Sequence, residues 1–258
     1  MFVHPNFALG HLIQWTIDPT FAESEPYKYT VEVSGTKDFS VIEYTIDGGN
    51  DTFFVTDKTN FRQTQILNTF YRVKLETNDN NTYYSRIVLF GTDIETRRNY
   101  RLASEIVRKE TLRHKKFTGI GGYLLKRKQF GQVRIDSVDP ISGVPIADNT
   151  TDYGTGLDGG YYGVVPILFT YENSNNEQTL NPAGLGVSDV NDYALRMVGH
   201  PIVEVKDVII DRYADYRMIV KKVEPIVFPG TGIVLVQKIE ASEIPATDNI
   251  YKIEIENA

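Results

Sequence analysis

What most constrains this chain is the series of short, period-two segments that fills its first 91 residues. His11–Asp18, Tyr27–Ser34, Ile42–Ile46, Thr52–Thr56, Tyr71–Glu76 and Tyr83–Phe90 are rich in Val, Ile, Thr and aromatic side chains. In a pleated strand successive side chains point to opposite faces, so an alternating segment of this kind reads as a half-buried strand. Turn formers separate the segments: Ser34-Gly35, Asp47-Gly48-Gly49-Asn50-Asp51 and Asn78-Asp79-Asn80-Asn81. Strands this short must each bury one face, and two antiparallel sheets packed against each other do so. The pattern predicts an antiparallel β-sandwich over residues 1–91.

Trp15 stands early in this stretch and Tyr71-Arg72-Val73 late. With that placement residues 8–91 resemble an immunoglobulin-like fibronectin type III module, which implies a core tryptophan and a tyrosine on the F strand. From Asp93 the period changes. Asp93 can cap a helix, and no Gly or Pro follows until Gly119. On a helical wheel centred on Leu102, the residues Tyr100, Ala103, Ile106 and Val107 share a face with it, which is expected to pack. Arg97, Arg98, Arg101, Arg108, Lys109, Lys115 and Lys116 fall opposite, while Leu112 and Arg113 are out of place. A central basic amphipathic helix within a connecting segment, residues 92–131, is the expectation.

Charge gives this segment its interest. The whole chain has 27 Lys and Arg against 34 Asp and Glu, a net −7. Between Arg97 and Arg134 stand twelve cations with only Glu105 and Glu110 beside them, a surplus of ten, so the remainder has a net charge of −17. A basic island in an acidic body is a statement about partners. Its cations can face an acidic protein surface, including a second copy, or contact DNA phosphates, with Tyr123 and Phe130 flanking Lys126-Arg127-Lys128 as stacking groups. They can also be a solvated helix face.

After the island, residues 136–162 read as a long loop containing Asp139-Pro140-Ile141-Ser142-Gly143 and a Tyr- and Gly-rich stretch, Tyr153 to Tyr162. Strands are expected at Val164–Tyr171, Leu195–Val198, Val208–Ile210, Arg217–Val227, Ile233–Ala241 and Tyr251–Ile255. They suggest a C-terminal β-barrel-like domain or an extended sheet with long loops, residues 132–258, its strand order open. The fold class is mainly β throughout.

Little catalytic equipment accompanies this framework. Without cysteine the chain has no disulfide, thiolate metal site or cysteine nucleophile, and His4, His11, His114 and His200 are scattered. Gly119-Ile120-Gly121-Gly122 and Tyr153-Gly154-Thr155-Gly156 lack phosphate-loop spacing and read as glycines serving positive φ or close approach. Asp136, Asp139, Asp148, Asp152 and Asp158 lack calcium-loop spacing and read as solvated turn carboxylates. No stretch reaches the roughly 18 apolar residues of a membrane span, and no secretory leader is visible, so no membrane association is expected. No cofactor and no enzymatic activity are expected.

One resemblance ties these parts together. A sandwich module, then Arg108-Lys109-Glu110-Thr111-Leu112-Arg113, Phe117-Thr118-Gly119, Leu124 to Gly131, Asp139 to Gly143, Tyr153 to Tyr162, His200-Pro201, Asp207 to Arg212 and Tyr216 to Val220 follow in order. This order resembles virion proteins of tailed bacteriophages, in particular neck or head–tail connector components. It implies a structural protein of the virion neck, assembled in the host cytoplasm as a ring of identical copies that joins or seals the head portal to the tail. Its partners would be copies of itself and other neck, portal or tail proteins, with non-specific contact with packaged DNA as another use of the cations. The interface residues would be Arg97, Arg101, Arg108, Lys115, Lys126, Arg127 and Lys128 on the basic face, with Tyr153, Tyr161 and Tyr162 on the loop. Two Cys-x-x-Cys pairs belong to the pattern; the matching positions here are Arg134 with Ser137 and Asn149 with Asp152, so a zinc site does not carry over. The rival function is a carbohydrate- or receptor-binding module of a phage tail or cell surface, for which exposed Tyr side chains and Trp15 would serve.

Overall fold

In the computed structural model, residues 2–6, 11–17, 26–50, 52–57, 59, 69–90, 94–129, 151–172, 191–229 and 234–255 are described. Among these residues the chain is mainly β, built from antiparallel sheets with one α-helix between a sandwich and a closed barrel. Strands β1 (Phe2–Asn6), β2 (His11–Thr16) and β5 (Phe54–Asp57) form one sheet in the order β1-β2-β5. Strands β3 (Lys28–Ser34), β4 (Tyr44–Asn50), β6 (Thr69–Glu76) and β7 (Thr82–Tyr84) form the other in the order β4-β3-β6-β7, with β8 (Val88–Phe90) also on β6. Lettered A to G along the chain, these are the A-B-E and C′-C-F-G sheets of an immunoglobulin-like sandwich.

Local chemistry explains where the strands depart from expectation. The glycines at 48 and 49 lie within β4 rather than in a turn: Tyr29 pairs with Gly49 and Thr30 with Asp47, which leaves Gly48 as the extra residue of a bulge. A Cβ at Gly48 would stand 2.9 Å from both the Cβ and the carbonyl oxygen of Tyr29, so only glycine fits. The segment expected as one strand from Tyr83 to Phe90 breaks at Ser85, whose hydroxyl accepts the Val73 N–H at 2.8 Å. β1 and a strand after the helix add to those expected.

Helix α1 (Ile94–Arg113) runs into a π-helical turn, His114–Thr118, and ends at the extended Gly119. The barrel follows: β9 (Ile120–Leu125), β10 (Val165–Glu172), β11 (Asp192–Val198), β12 (Val208–Asp211), β13 (Arg217–Val227) and β14 (Val234–Glu243). Its strands close in the order β10-β11-β14-β13-β12-β9, every neighbour antiparallel. Leu124 on β9 joins Phe169, Leu195, Met197, Ile209 and Met218 in the main core. Gly122 makes room for this packing, since a Cβ there would meet the Ile210 carbonyl oxygen at 2.4 Å and the Phe169 ring at 2.5 Å. The opposite face of β9, Tyr123 and Leu125, joins Val208, Ile210 and Tyr161 in a second cluster.

The C-terminal Tyr251–Ile255, expected as a strand, is instead entered by a 3-10 turn over Asn249–Lys252 and forms no strand. Asp248 caps the turn by accepting the Ile250 N–H at 2.9 Å. The buried Arg217 guanidinium donates to the carbonyls of Ile250 and Ile253. Closure of the barrel leaves no adjoining edge for a further strand there, so the segment covers the second cluster through Ile250, Tyr251 and Ile253.

Inside the sandwich the core is anchored by a polar network. Trp15 is 2% exposed and lies 5.1 Å from the Tyr29 ring. Asp57 accepts the hydroxyls of Tyr44 at 2.6 Å and Tyr71 at 2.8 Å. Because the Tyr71 hydroxyl gives its proton to Asp57, the His11 Nδ1 at 2.6 Å must be the donor to Tyr71, which sets the His11 tautomer. Burial drops the His11 pKa from 6.5 to about 4, against the pull of the Asp57 charge, so the ring is neutral at pH 7. A base whose pKa is lowered on folding takes up its proton first in the unfolded chain, so stability falls as pH drops from about 6.5 to about 4. Urea unfolding across that window should show this slope, and His11→Gln should flatten it. At pH 7, Tyr71→Phe should cost about 1–3 kcal/mol by leaving buried polar partners unmatched.

Candidate interaction surface

The basic island divides in two once the chain is folded. Buried residues of α1 are Ala103, Val107 and Thr111, continued by His114 at the start of the π turn, about one turn apart, and the helix packs on β11 and β14. Thr111 returns its hydroxyl to the Val107 carbonyl at 2.8 Å. His114 Nδ1 lies 2.8 Å from the Glu110 carbonyl, and its Nε2 lies 3.4 Å from that of Arg196. The Val107 and Glu110 carbonyls thus give Thr111 and His114 partners within their own turn, and these two residues can be buried. The packing face is therefore rotated from the expected one: Leu102 and Ile106 are exposed, together with Leu112 and Phe117, the last at 83%. A wheel that counts only apolar residues misses a face anchored by Thr and His.

Around these apolar groups stand exposed cations. Arg108 and Lys109 approach Glu105 at 3.8 and 3.6 Å, and Arg113 approaches Glu110 at 3.5 Å. Lys115 and Lys116 are exposed at the π turn. Exposed pairs of this length contribute little to stability, so the cations remain available to a partner. The side chains of Arg97, Arg101 and Tyr100, and the cap residue Asp93, lie outside the described residues.

Lys126-Arg127-Lys128 do not belong to that surface. Period two carries the inward face of Leu124 on to Lys126 and Lys128, both buried, while Arg127 is half-buried. The Lys126 ammonium meets Glu204 at 2.8 Å, Asp207 at 3.2 Å and the Ile202 carbonyl at 3.2 Å, and stands 5.9 Å over the Phe53 ring of the sandwich. Asp207 also accepts backbone N–H groups from Arg127 at 2.9 Å and Glu204 at 2.7 Å. Burial pushes the Asp207 carboxyl up to about 6, against these attractions, which leaves it charged at pH 7. Lys128 donates from Nζ to the Asp158 carbonyl at 3.3 Å, and Arg127 from Nη2 to that of Thr155 at 3.4 Å.

The loop expected as an interface turns out to be bound to the same segment. Residues 130–150, including Asp136, Asp139 and Asp148, lie outside the described residues; from 151 onward the loop is pinned. Asp152 is fully buried and accepts N–H groups from Gly154 at 3.3 Å and Gly156 at 2.9 Å, so it is a turn-capping carboxylate rather than a solvated one. Backbone hydrogen bonds join Lys128 N–H to Gly160 and Tyr162 N–H to Lys126. Tyr161 and Tyr162 are buried and Tyr153 is half-buried, so within one chain they serve packing: Tyr162 meets Phe53 at 5.5 Å, and Tyr161 meets Tyr153 at 6.4 Å. Burial raises the Tyr161 pKa to about 12.

The sandwich is docked rather than free. Gln14 of β2 accepts the Ile202 N–H at 3.0 Å, and Gln237 of β14 donates to the carbonyls of Val198 and Pro201 while accepting from Val203 N–H. The loop between β11 and β12 is thus held from both domains. Among the described residues no group of three His, Asp or Glu side chains could hold a metal ion, and no helix is long and apolar enough to cross a membrane. Compared with known proteins, the chain matches no protein-family model and no curated protein.

Two kinds of cation make a measurable contrast. Removal of either partner of the buried pair, by Lys126→Met or Asp207→Ala, should cost about 3 kcal/mol in urea unfolding, and the double variant should cost less than the two together. Arg108→Glu and Lys115→Glu should stay within about 0.5 kcal/mol of the parent in the same assay.

Proposed function

We propose that the chain is a non-enzymatic structural protein of a tailed-phage virion neck, which assembles as a ring of identical copies joining or sealing the head portal to the tail. The resemblance in segment order supplies the biological setting. The observation that carries the interaction is the outer face of α1 and the π turn that continues it, where Leu102, Ile106, Leu112 and Phe117 stand exposed among Arg108, Lys109, Arg113, Lys115 and Lys116. Phosphate neutralisation needs cations alone, and a merely solvated helix face has no use for a protruding phenylalanine. Apolar groups surrounded by charge suit a protein partner: the apolar groups are buried at the centre, and the charges set encounter and register. A ring uses heterologous contacts, so this face must meet a different, acidic surface on the next copy. The sugar-binding alternative loses its most useful side chain, since Trp15 lies in the sandwich core.

Light scattering and electron microscopy of the purified chain, alone and with neighbouring virion proteins, should show ring-shaped or copy-dependent assembly. Charge reversal of Arg108, Lys109 and Lys115 to Glu should abolish it with the unfolding midpoint unchanged. Unaltered assembly in that variant would make the face a solvated one, and absence of the chain from intact particles by mass spectrometry would remove the virion assignment.

A further inference from the structure

A cleft of about 410 Å³ opens on the barrel where the end of β10, the start of β11 and the turn after β12 meet. Among the described residues, three rings, Tyr171, Tyr193 and Tyr216, and three carboxylates, Glu172, Asp192 and Asp211, line it together with two alanines and without a basic side chain. Two of the rings are held in place. Tyr171 donates its hydroxyl to Asp211 at 2.8 Å and Tyr193 donates to Glu243 at 3.1 Å, with the two ring centroids 5.6 Å apart at 54°. Tyr171 is 38% and Tyr216 43% exposed, so ring surface remains open to a ligand. Lys221 and Arg196 already pair with Asp192 and Glu172, at 2.9 and 3.4 Å, and offset part of their charge, so the rings and Asp211 carry much of the attraction.

Fixed tyrosine rings attract cations through their π faces, and nearby carboxylates add to that attraction. We infer that this cleft receives an Arg or Lys side chain from the basic face of α1 of a second copy. The occupant follows from charge complementarity within the chain: a cleft lined by carboxylates and rings on the barrel, and Arg108, Arg113, Lys115 and Lys116 exposed on the helix. The inference rests on the assembly reading above and names the acidic surface which that reading requires.

Sedimentation velocity of two reversed variants tests it. Arg108→Glu, Lys109→Glu, Lys115→Glu and Lys116→Glu together turn residues 94–118 from eight basic against three acidic side chains to four against seven, an acidic helix facing an acidic cleft, and Glu172→Lys with Asp192→Lys makes a basic helix facing a basic cleft. Each alone should remain monomeric, and an equimolar mixture should regain the parent's assembly. If the cleft variant assembles as the parent does while the helix variant does not, the cleft is not the acceptor and the assembly reading stands. If the parent is monomeric both alone and with neighbouring virion proteins, the assembly reading fails, and a direct titration decides the cleft separately. A synthetic peptide of residues 104–118, followed by tyrosine fluorescence, should saturate the parent and bind about tenfold more weakly to Tyr216→Ala. Equal binding to both, or none to the parent, overturns the inference.

Discussion

The buried ammonium of Lys126 is the interaction on which the arrangement of this chain depends. It lies where β9 leaves the barrel, over the Phe53 ring of the sandwich and against the loop that joins β11 to β12. An isolated buried charge would cost several kcal/mol, so the site needs its full set of oxygens: Asp207, Glu204 and the Ile202 carbonyl. Each ligand brings its own segment along. Asp207 ties down Arg127 and Glu204 through their backbone N–H groups, and Ile202 is bonded in turn to Gln14 of the sandwich. One cation thereby sets the position of a barrel strand, a barrel loop and a domain boundary. Such a pair contributes specificity of arrangement more readily than net stability, because the attraction is offset by lost hydration.

The same economy shapes the helix. α1 is attached to the barrel by small or self-satisfied side chains, Ala103, Val107, Thr111 and His114, which allow close approach without a wide apolar stripe. Arg196 extends the attachment, reaching Glu110 at 3.3 Å and Glu172 at 3.4 Å, so the helix, β10 and β11 are joined by one guanidinium. The larger apolar side chains of the helix are left outside. The helix buries Ala103, Val107 and Thr111 and leaves Leu102, Ile106 and Leu112 exposed, an arrangement that would suit a second contact.

The sequence was legible where period and turn chemistry are local. The sandwich strands, the change to helix at 94 and most barrel strands follow from alternation and from Gly, Asn and Asp placement. What escaped was set by distant partners. Gly48 looks like a turn residue until Tyr29 approaches it across the sheet, and Tyr251 looks like strand until Arg217 holds the neighbouring carbonyls. Lys126-Arg127-Lys128 read as surface because three cations in a row normally are, although their spacing from Leu124 continues an inward face. The cleft of Tyr171, Tyr193 and Tyr216 is assembled from three strands or turns whose proximity depends on barrel order, which no local pattern encodes.

Barrel closure also limits how copies could associate. Closed staves offer no strand edge, and β13 beyond Val220 pairs only with β14 among the described residues. That stretch carries Lys221, Lys222, Glu224 and Pro225, charged groups and an imino acid that discourage strand addition. Association through this half of the molecule must therefore run through side chains. Of the exposed side chains, those of α1 combine charge with apolar area, and those of the cleft combine charge with aromatic rings. Salt screens the charges but not the apolar contact, so an interface of this composition would form slowly at high ionic strength and, once formed, would persist through Phe117 and its apolar neighbours.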